Sequence, residues 1–265
     1  MAKGKFDMSE FLTPVEGVPE SDTTREIAVN DILDNPLNFY PRPDNEKLAE
    51  LMESIQANGM LEPPTVVPAE NGKYRLISGH SRMNAVRLLA SYKDDAVAER
   101  FQRVLCRVLP SMTTEQEECA VIEANRQRIK SPAVLAQEAE RLTQIYIKRR
   151  EAGEDLPGRI RDRVAEAMQV NKTKLANLSA IKNGLKVPGI RRAWEEGRLP
   201  EAAALEIARM DDNTQYRLLD WMIDNGKPWA IKNVQEFVKT RAKDEQAAED
   251  EKYIELLGHI RERLA

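Results

Sequence analysis

Tyr74-Arg75-Leu76-Ile77-Ser78-Gly79-His80-Ser81-Arg82-Met83-Asn84-Ala85 is the most informative stretch of this chain. Its first five residues predict a strand. Gly79 permits a sharp turn, and Ala85, Val86, Leu88 and Leu89 carry the apolar face of a helix that follows at once. A strand passing directly into a helix is the signature of an α/β layer. The first N–H groups of such a helix have no helical carbonyl to bond, and with the helix dipole they attract anions. Arg82 in the first turn adds a guanidinium able to grip a phosphate. His80 is no metal ligand by pattern, since no second His or Cys lies at ligand spacing.

On the N-terminal side, Ile27, Val29 and Ile32 predict a short strand, and Asn35-Pro36 and Pro41-Arg42-Pro43 a loop that cannot be helical. Asp44 caps a helix whose apolar positions are Leu48, Leu51, Met52 and Ile55, stopped by Gly59. Thr65-Val66-Val67 is a strand, joined through an Asn71-Gly72 hairpin turn to Tyr74–Ser78. On the C-terminal side, Val104–Leu109 is a third apolar strand. Thr114-x-x-Glu117 then forms a capping box that opens a helix toward Glu123. Ser131 and Pro132 open another, with Leu135, Ala139, Leu142 and Tyr146 inward. Helical patterns continue near 160–168, 172–183, 189–197, 201–209, 213–225 and 230–243. Tyr253, Leu257, Ile260 and Leu264 form a last stripe that either a second copy or the chain's own domain could cover. The expected organisation is α+β: a tail over 1–24, a small mixed α/β domain over 25–130, an all-α domain over 131–245 and a C-terminal helix over 246–265.

The composition agrees with a helix-rich protein. Of 265 residues 42% are hydrophobic, 32% charged and only 5% aromatic, with a mean hydropathy of −0.56. No stretch approaches the ~20 apolar residues of a membrane span. Met1–Phe11 lacks the apolar run of a secretory signal, and two cysteines cannot make a disulfide framework. A reduced, cytoplasmic protein without membrane contact is expected. The net charge of −4 hides a local excess, because residues 148–200 carry 13 basic and 7 acidic side chains. Phosphate binding requires such a local block rather than a basic average.

Within that block, Val164, Ala165 and Met168 predict the inner face of one helix, and Leu175, Leu178 and Ile181 that of the next, across a tight turn at Gln169–Asn171. This is a helix-turn-helix pattern. Lys172, Thr173, Lys174 and Asn177 then face outward at the N-terminal end of the second helix, where base edges are met. Arg159, Arg161, Arg163 and Lys182 are the expected phosphate anchors on double-stranded DNA. Cys106 lies in an apolar strand and reads as inert packing; Asp94-Asp95 and Glu115, Glu117 and Glu118 read as solvated charges rather than a metal site.

Together, in order, these segments resemble the ParB/RepB partition proteins over residues 25–215. Asn35-Pro36 through Arg42, with Leu48 to Pro63, resembles the family's first box. Tyr74 through Ala85 resembles its arginine-rich phosphate box, and Asn125-x-Gln127-Arg128 its nucleotide-contacting motif. The run Gly158-Arg159-x-Arg161-Asp162 before the helix-turn-helix resembles partition proteins of plasmids and mobile elements. The resemblance implies a ParB/sulfiredoxin-like N-terminal domain and a homodimer bound to a centromere-like DNA site, associated with the nucleoid or a plasmid. It implies a clamp that uses CTP with Mg²⁺ and works with a ParA-type ATPase. Carried onto this chain, the nucleotide contacts are Arg42, Gly79, His80, Ser81, Arg82, Asn125 and Arg128, with Glu123 and Asn125 toward the metal. The chain departs from the family where His80, Ser81 and Asn84 replace a glutamate and two arginines, and where Ala124 stands in place of an acid. Those departures leave at most a slow CTPase. A repressor of the same fold without nucleotide switching is the alternative. Sulfiredoxin chemistry is excluded, because no cysteine lies between Ser78 and Arg82.

Overall fold

In the computed structural model the described residues are 23–243, 246 and 252. Most of the expected tail and the Tyr253, Leu257, Ile260, Leu264 stripe lie outside them. Two compact units are present: residues up to Ile129 with Leu142–Leu156, and Lys130–Arg141 with residues from Pro157 on. The division falls inside one helix, whereas the sequence pattern suggested a boundary between 130 and 131.

The first unit is built on a five-stranded sheet in the order β1-β5-β3-β4-β2 (β1 Thr23–Ala28, β2 Ile32–Leu33, β3 Thr65–Pro68, β4 Tyr74–Ser78, β5 Arg103–Val108). β1 pairs antiparallel with β5, β5 parallel with β3, β3 antiparallel with β4, and β4 parallel with β2. Val66, Val67, Leu76 and Ile77 are buried on both faces, as expected of central strands. β5 alternates exposed and buried residues instead. β1 opens at Thr23, so the last two residues of the expected tail are paired strand. The Asn71-Gly72 turn has both residues at positive φ, 58° and 70°, within a 3₁₀ turn that Ala69 and Lys73 close by a 2.8 Å hydrogen bond. α1 (Asn45–Asn58) begins on Asp44, whose carboxylate accepts from the Lys47 N–H at 2.9 Å, and ends on Gly59. α2 (His80–Ala90) follows β4 directly.

Asp94 and Asp95 are exposed, as expected of solvated charges, and Asp94 also caps a short helix α3 (Asp95–Arg100) by accepting from Ala96 and Val97. Two local readings are corrected. The capping box of α4 (Thr114–Ala124) is one residue earlier than expected, with Thr113 and Gln116 as the reciprocal pair. With Thr113 as the cap, Glu117 is not its N3 partner but a buried residue of α4. Its side chain is 3% exposed and accepts from Arg75 Nε at 2.7 Å and from Asn35 Nδ2 at 3.3 Å, so it is a buried ion-pair partner rather than a solvated charge. Cys106 is fully buried and its thiol is pushed up to about 11 by burial, as an inert packing group is.

The second unit is all-helical. α5 (Pro132–Glu151) is shared with the first unit; α6 (Ile160–Ala167), α7 (Lys172–Gly184), α8 (Pro188–Glu195), α9 (Glu201–Ile207) and α10 (Asp212–Asp224) follow, and 231–243 are helical. Leu178, Ile181, Ile190, Trp194, Ile207, Leu218 and Phe237 belong to one core. Val164 and Ala165 are buried as expected; Met168 instead ends α6 half-buried, and Ala167 takes the inner position. Gln215 is fully buried and satisfied: its amide donates to the Gly184 and Met210 carbonyls at 2.7 and 3.1 Å and accepts from the Lys186 N–H at 3.0 Å.

Gly184 sits where α7 meets the end of α9. A Cβ there would lie 2.9 Å from the Ala208 Cα, against backbone that cannot swing aside. Gly184→Ala should therefore lower stability by about 1–3 kcal/mol in urea unfolding, opposite to the usual gain from Gly→Ala in a helix. A gain would mean that the two backbones separate freely.

Candidate functional site

The turn between β4 and α2 is set by Gly79, at φ 89°. A Cβ at that position would lie 2.9 Å from the Pro64 Cβ, so both the conformation and the contact require glycine. No side chain caps α2. The Met83 N–H takes the Gly79 carbonyl at 2.8 Å, and the N–H groups ahead of it have no helical partner.

In front of this helix end lies a cleft of about 590 Å³. Arg42, Gly79, His80, Ser81, Arg82, Glu123, Asn125 and Arg128 all line it. These eight residues come from three segments of sequence. They include every residue assigned above to nucleotide or metal. The sequence did not point to Tyr40, Thr65 and Arg107, which line it too. Arg107 could have been found, because the alternation of β5 puts Arg103, Leu105 and Arg107 on its exposed face.

The cations of the cleft are held by carboxylates and carbonyls of the chain itself. Asp34 bridges Arg42 and Arg87, at 2.6 Å to each. Burial raises its pKa, but the hydrogen bonds and charges of Arg87 and Arg42 outweigh that and hold the carboxyl below its usual range. Arg82 is only 25% exposed, bonded to the Glu62 carbonyl and 3.2 Å from its carboxylate. Arg128 donates to the Pro41 carbonyl. Asn125 ends α4, with its amide nitrogen 2.9 Å from the Val121 carbonyl. Glu123 pairs with Arg126 at 3.1 Å. No group of three His, Cys, Asp or Glu residues that could cage a metal exists among the described residues. The cleft is thus electropositive: four arginines and one helix end face it, against two carboxylates that are already paired.

In the second unit, α6 and α7 enclose the turn 168–171, where Gln169 takes a positive φ of 55°. Asn171 caps α7 by accepting from the Lys174 N–H at 2.7 Å. Lys172 and Thr173 are exposed at the start of α7, whereas Lys174 and Asn177, expected outward, are half-buried. The cations are not free. Lys172 is 3.0 Å and Arg159 3.5 Å from Asp162, Lys174 pairs with Glu201, and Lys182 with Glu140. Arg163 donates to the Pro157 carbonyl at 3.0 Å, and Arg161 is exposed.

Residues 15–125 match the family model of the ParB N-terminal domain. The chain thus carries a ParB N-terminal domain. It is 28% identical to the nucleoid occlusion protein of Geobacillus thermodenitrificans over 78% of this chain and 66% of the relative. It is also 28% identical to a probable chromosome-partitioning protein ParB of Chlamydia trachomatis, over 94% and 83%. The match spans 66% and 65% of the first two curated relatives, just under two thirds of their length. The structure of a Pnob8-like ParB-N domain aligns with a TM-score of 0.54 at 12% identity, covering 86% of this chain and 97% of that one, a likeness of fold.

At the head of α2, within the matched domain, this chain carries His80. Burial pushes the imidazole pKa down to about 4, with Asp34 opposing that and Arg42 and Arg87 adding to it. Its Nε2 is buried with no hydrogen-bond partner among the described residues. The unfolded chain protonates near the ordinary 6.5 and the folded chain only near 4, so folding stability is full above pH 6.5 and falls as the pH drops through that window. A loss of order 1–3 kcal/mol is expected between pH 7 and 4.5 in urea unfolding, and His80→Gln should flatten it. An equal loss in the variant would assign the acid sensitivity elsewhere.

Proposed function

We propose that this chain is a sequence-specific DNA-binding partition protein that recognises a centromere-like site and switches as a homodimeric clamp on CTP. The convergence of Arg42, the 79–82 turn and the end of α4 on one anion-binding cleft carries this reading. Arg42, Arg82, Arg107 and Arg128 supply charge for a triphosphate, and the free N–H groups of α2 supply directed donors. Bound phosphates would displace Asp34 and Glu62 from Arg42 and Arg82. CTP brings the phosphates, and Mg²⁺ with them, because Mg²⁺ commonly relies on substrate phosphates and one or two carboxylates. Glu123 and Asn125 are the side chains at hand for it. With Glu123 paired to Arg126, hydrolysis would be slow at most. The basic block and the exposed start of α7 support DNA binding, and a ParA-type ATPase is the expected partner. The Gly158-Arg159-x-Arg161-Asp162 run supports a plasmid or mobile element as the replicon served.

Calorimetry with the four ribonucleoside triphosphates, Mg²⁺ and DNA tests the cleft. CTP should bind best, and Arg42→Ala, at a 61% exposed side chain, should weaken it at least about tenfold without lowering the melting temperature. No triphosphate binding at about millimolar concentration would favour the nucleotide-independent repressor, a reading that the prior pairing of Arg42 and Arg82 supports.

DNA binding should be salt-sensitive through counterion release. Thr173→Ala and Asn177→Ala should each reduce preference for the selected site by about 1–3 kcal/mol while sparing binding to random duplex. A double variant that keeps the full site preference would remove α7 from the role of recognition helix.

A further inference from the structure

The strongest unexplained feature of the helical unit is the pairing of its DNA-facing cations. Asp162 in the first turn of α6 sits 3.0 Å from Lys172 and 3.5 Å from Arg159, and Arg161 lies close enough to act on its charge. Glu201, at the start of α9, holds Lys174, and both side chains are largely covered (33% and 24% exposed), where an ion pair is worth more than in open water. Glu140 of α5 holds Lys182. Lys172, Lys174, Lys182 and Arg159 are thus neutralised by three carboxylates of the same unit, in a segment whose formal charge suggested a free basic face.

We infer that Asp162 and Glu201, with Glu140, set the specificity of this chain by suppressing its binding to DNA of arbitrary sequence. The inference rests on the DNA-binding reading above. Random duplex offers mainly phosphates, and each phosphate contact made by one of these cations requires it to leave its carboxylate or brings that carboxylate toward a negative backbone. Counterion release then has to offset the lost pair, so little affinity remains. A cognate site adds base-edge contacts at the start of α7, which are unavailable elsewhere and tip the balance. The carboxylates act as repulsive elements against the wrong partner, the usual second half of specificity. Their positions fit the role: Asp162 and Glu201 contact the lysines at the first turn of the helix assigned to base reading, rather than lying elsewhere on the surface.

The test compares wild type with Asp162→Asn and Glu201→Gln, binding two duplexes: one of random sequence and about 24 base pairs, and one that wild type enriches from a random pool. Each substitution should tighten random-duplex binding about three- to tenfold at about 0.1 M salt and steepen the salt slope by about one. Binding to the enriched duplex should change less, so discrimination narrows. Glu166→Gln removes the same charge from an exposed position of α6 and should leave both affinities within about twofold. Unchanged random-duplex affinity in both variants, or an equal gain in Glu166→Gln, overturns the inference. Loss of binding to both duplexes with an unchanged melting temperature also overturns it, because the carboxylates would then be aligning the lysines for DNA. Asp162 and Glu201 lie on different helices, so either variant carries the test if the other fails to fold. Failure of wild type to bind any duplex at low salt overturns the DNA-binding reading itself and is seen before any variant is made.

Discussion

Glu117 is one turn into α4, yet its carboxylate is almost wholly buried, and it survives there because Arg75 grips it from β4 while Asn35 donates from the loop after β2. A buried charge without such partners would cost several kcal/mol. The three groups belong to three walls of the cleft. Arg75 is three residues ahead of the Ser78–Gly79 turn, Asn35 begins the loop that carries Tyr40 and Arg42, and Glu117 starts the helix that ends at Glu123 and Asn125. One satisfied ion pair thus fixes the register of loop, strand and helix around the anion site. Loss of Glu117 would leave Arg75 without its partner and the walls without their common point.

The cleft and the helix-turn-helix share one feature. In both, the cations are paired with acids of the chain itself: Asp34 and Glu62 in one unit, Asp162, Glu201 and Glu140 in the other. The exposed Arg42–Asp34 pair contributes little to stability and is easily broken, whereas the largely covered Lys174–Glu201 pair costs more to open. These pairs also account for the coexistence of clustered cations with a net charge of −4. Much of the negative charge is spent locally on arginines and lysines that would otherwise attract any polyanion.

Sequence periodicity exposed most of the architecture, because amphipathic spacing and glycine or proline punctuation are local properties. The β4–Gly79–α2 junction, the Asp44 cap and the Asn171 turn were all visible in this way. What escaped was long-range or finely positional. Thr113 and Thr114 are both competent caps, and with Thr113 as the cap Glu117 is not its N3 partner but a buried residue of α4. Its partner Arg75 is 42 residues away, and no pattern along the chain links the two. Lys174 looked like an outward recognition residue because its position on α7 is outward. The covering acid comes from α9, 27 residues later. Arg107 was missed because the strand was read for its apolar residues, while the functional side chain alternates with them.

His80 shows what the departure from the family box does physically. A glutamate at the head of α2 would bring a negative charge beside Arg42 and Arg87; an imidazole buried among them stays neutral at pH 7. Four arginines line the cleft, and a neutral imidazole at this position adds no negative charge against them. The missing box arginines act in the opposite direction, removing attraction that Ser81 and Asn84 cannot supply. Arg107, from the neighbouring strand β5, contributes a guanidinium from a different direction. A guanidinium from a strand face thus stands beside the helix turn, so the charge of the cleft depends on β5 as well as on the β4–α2 junction.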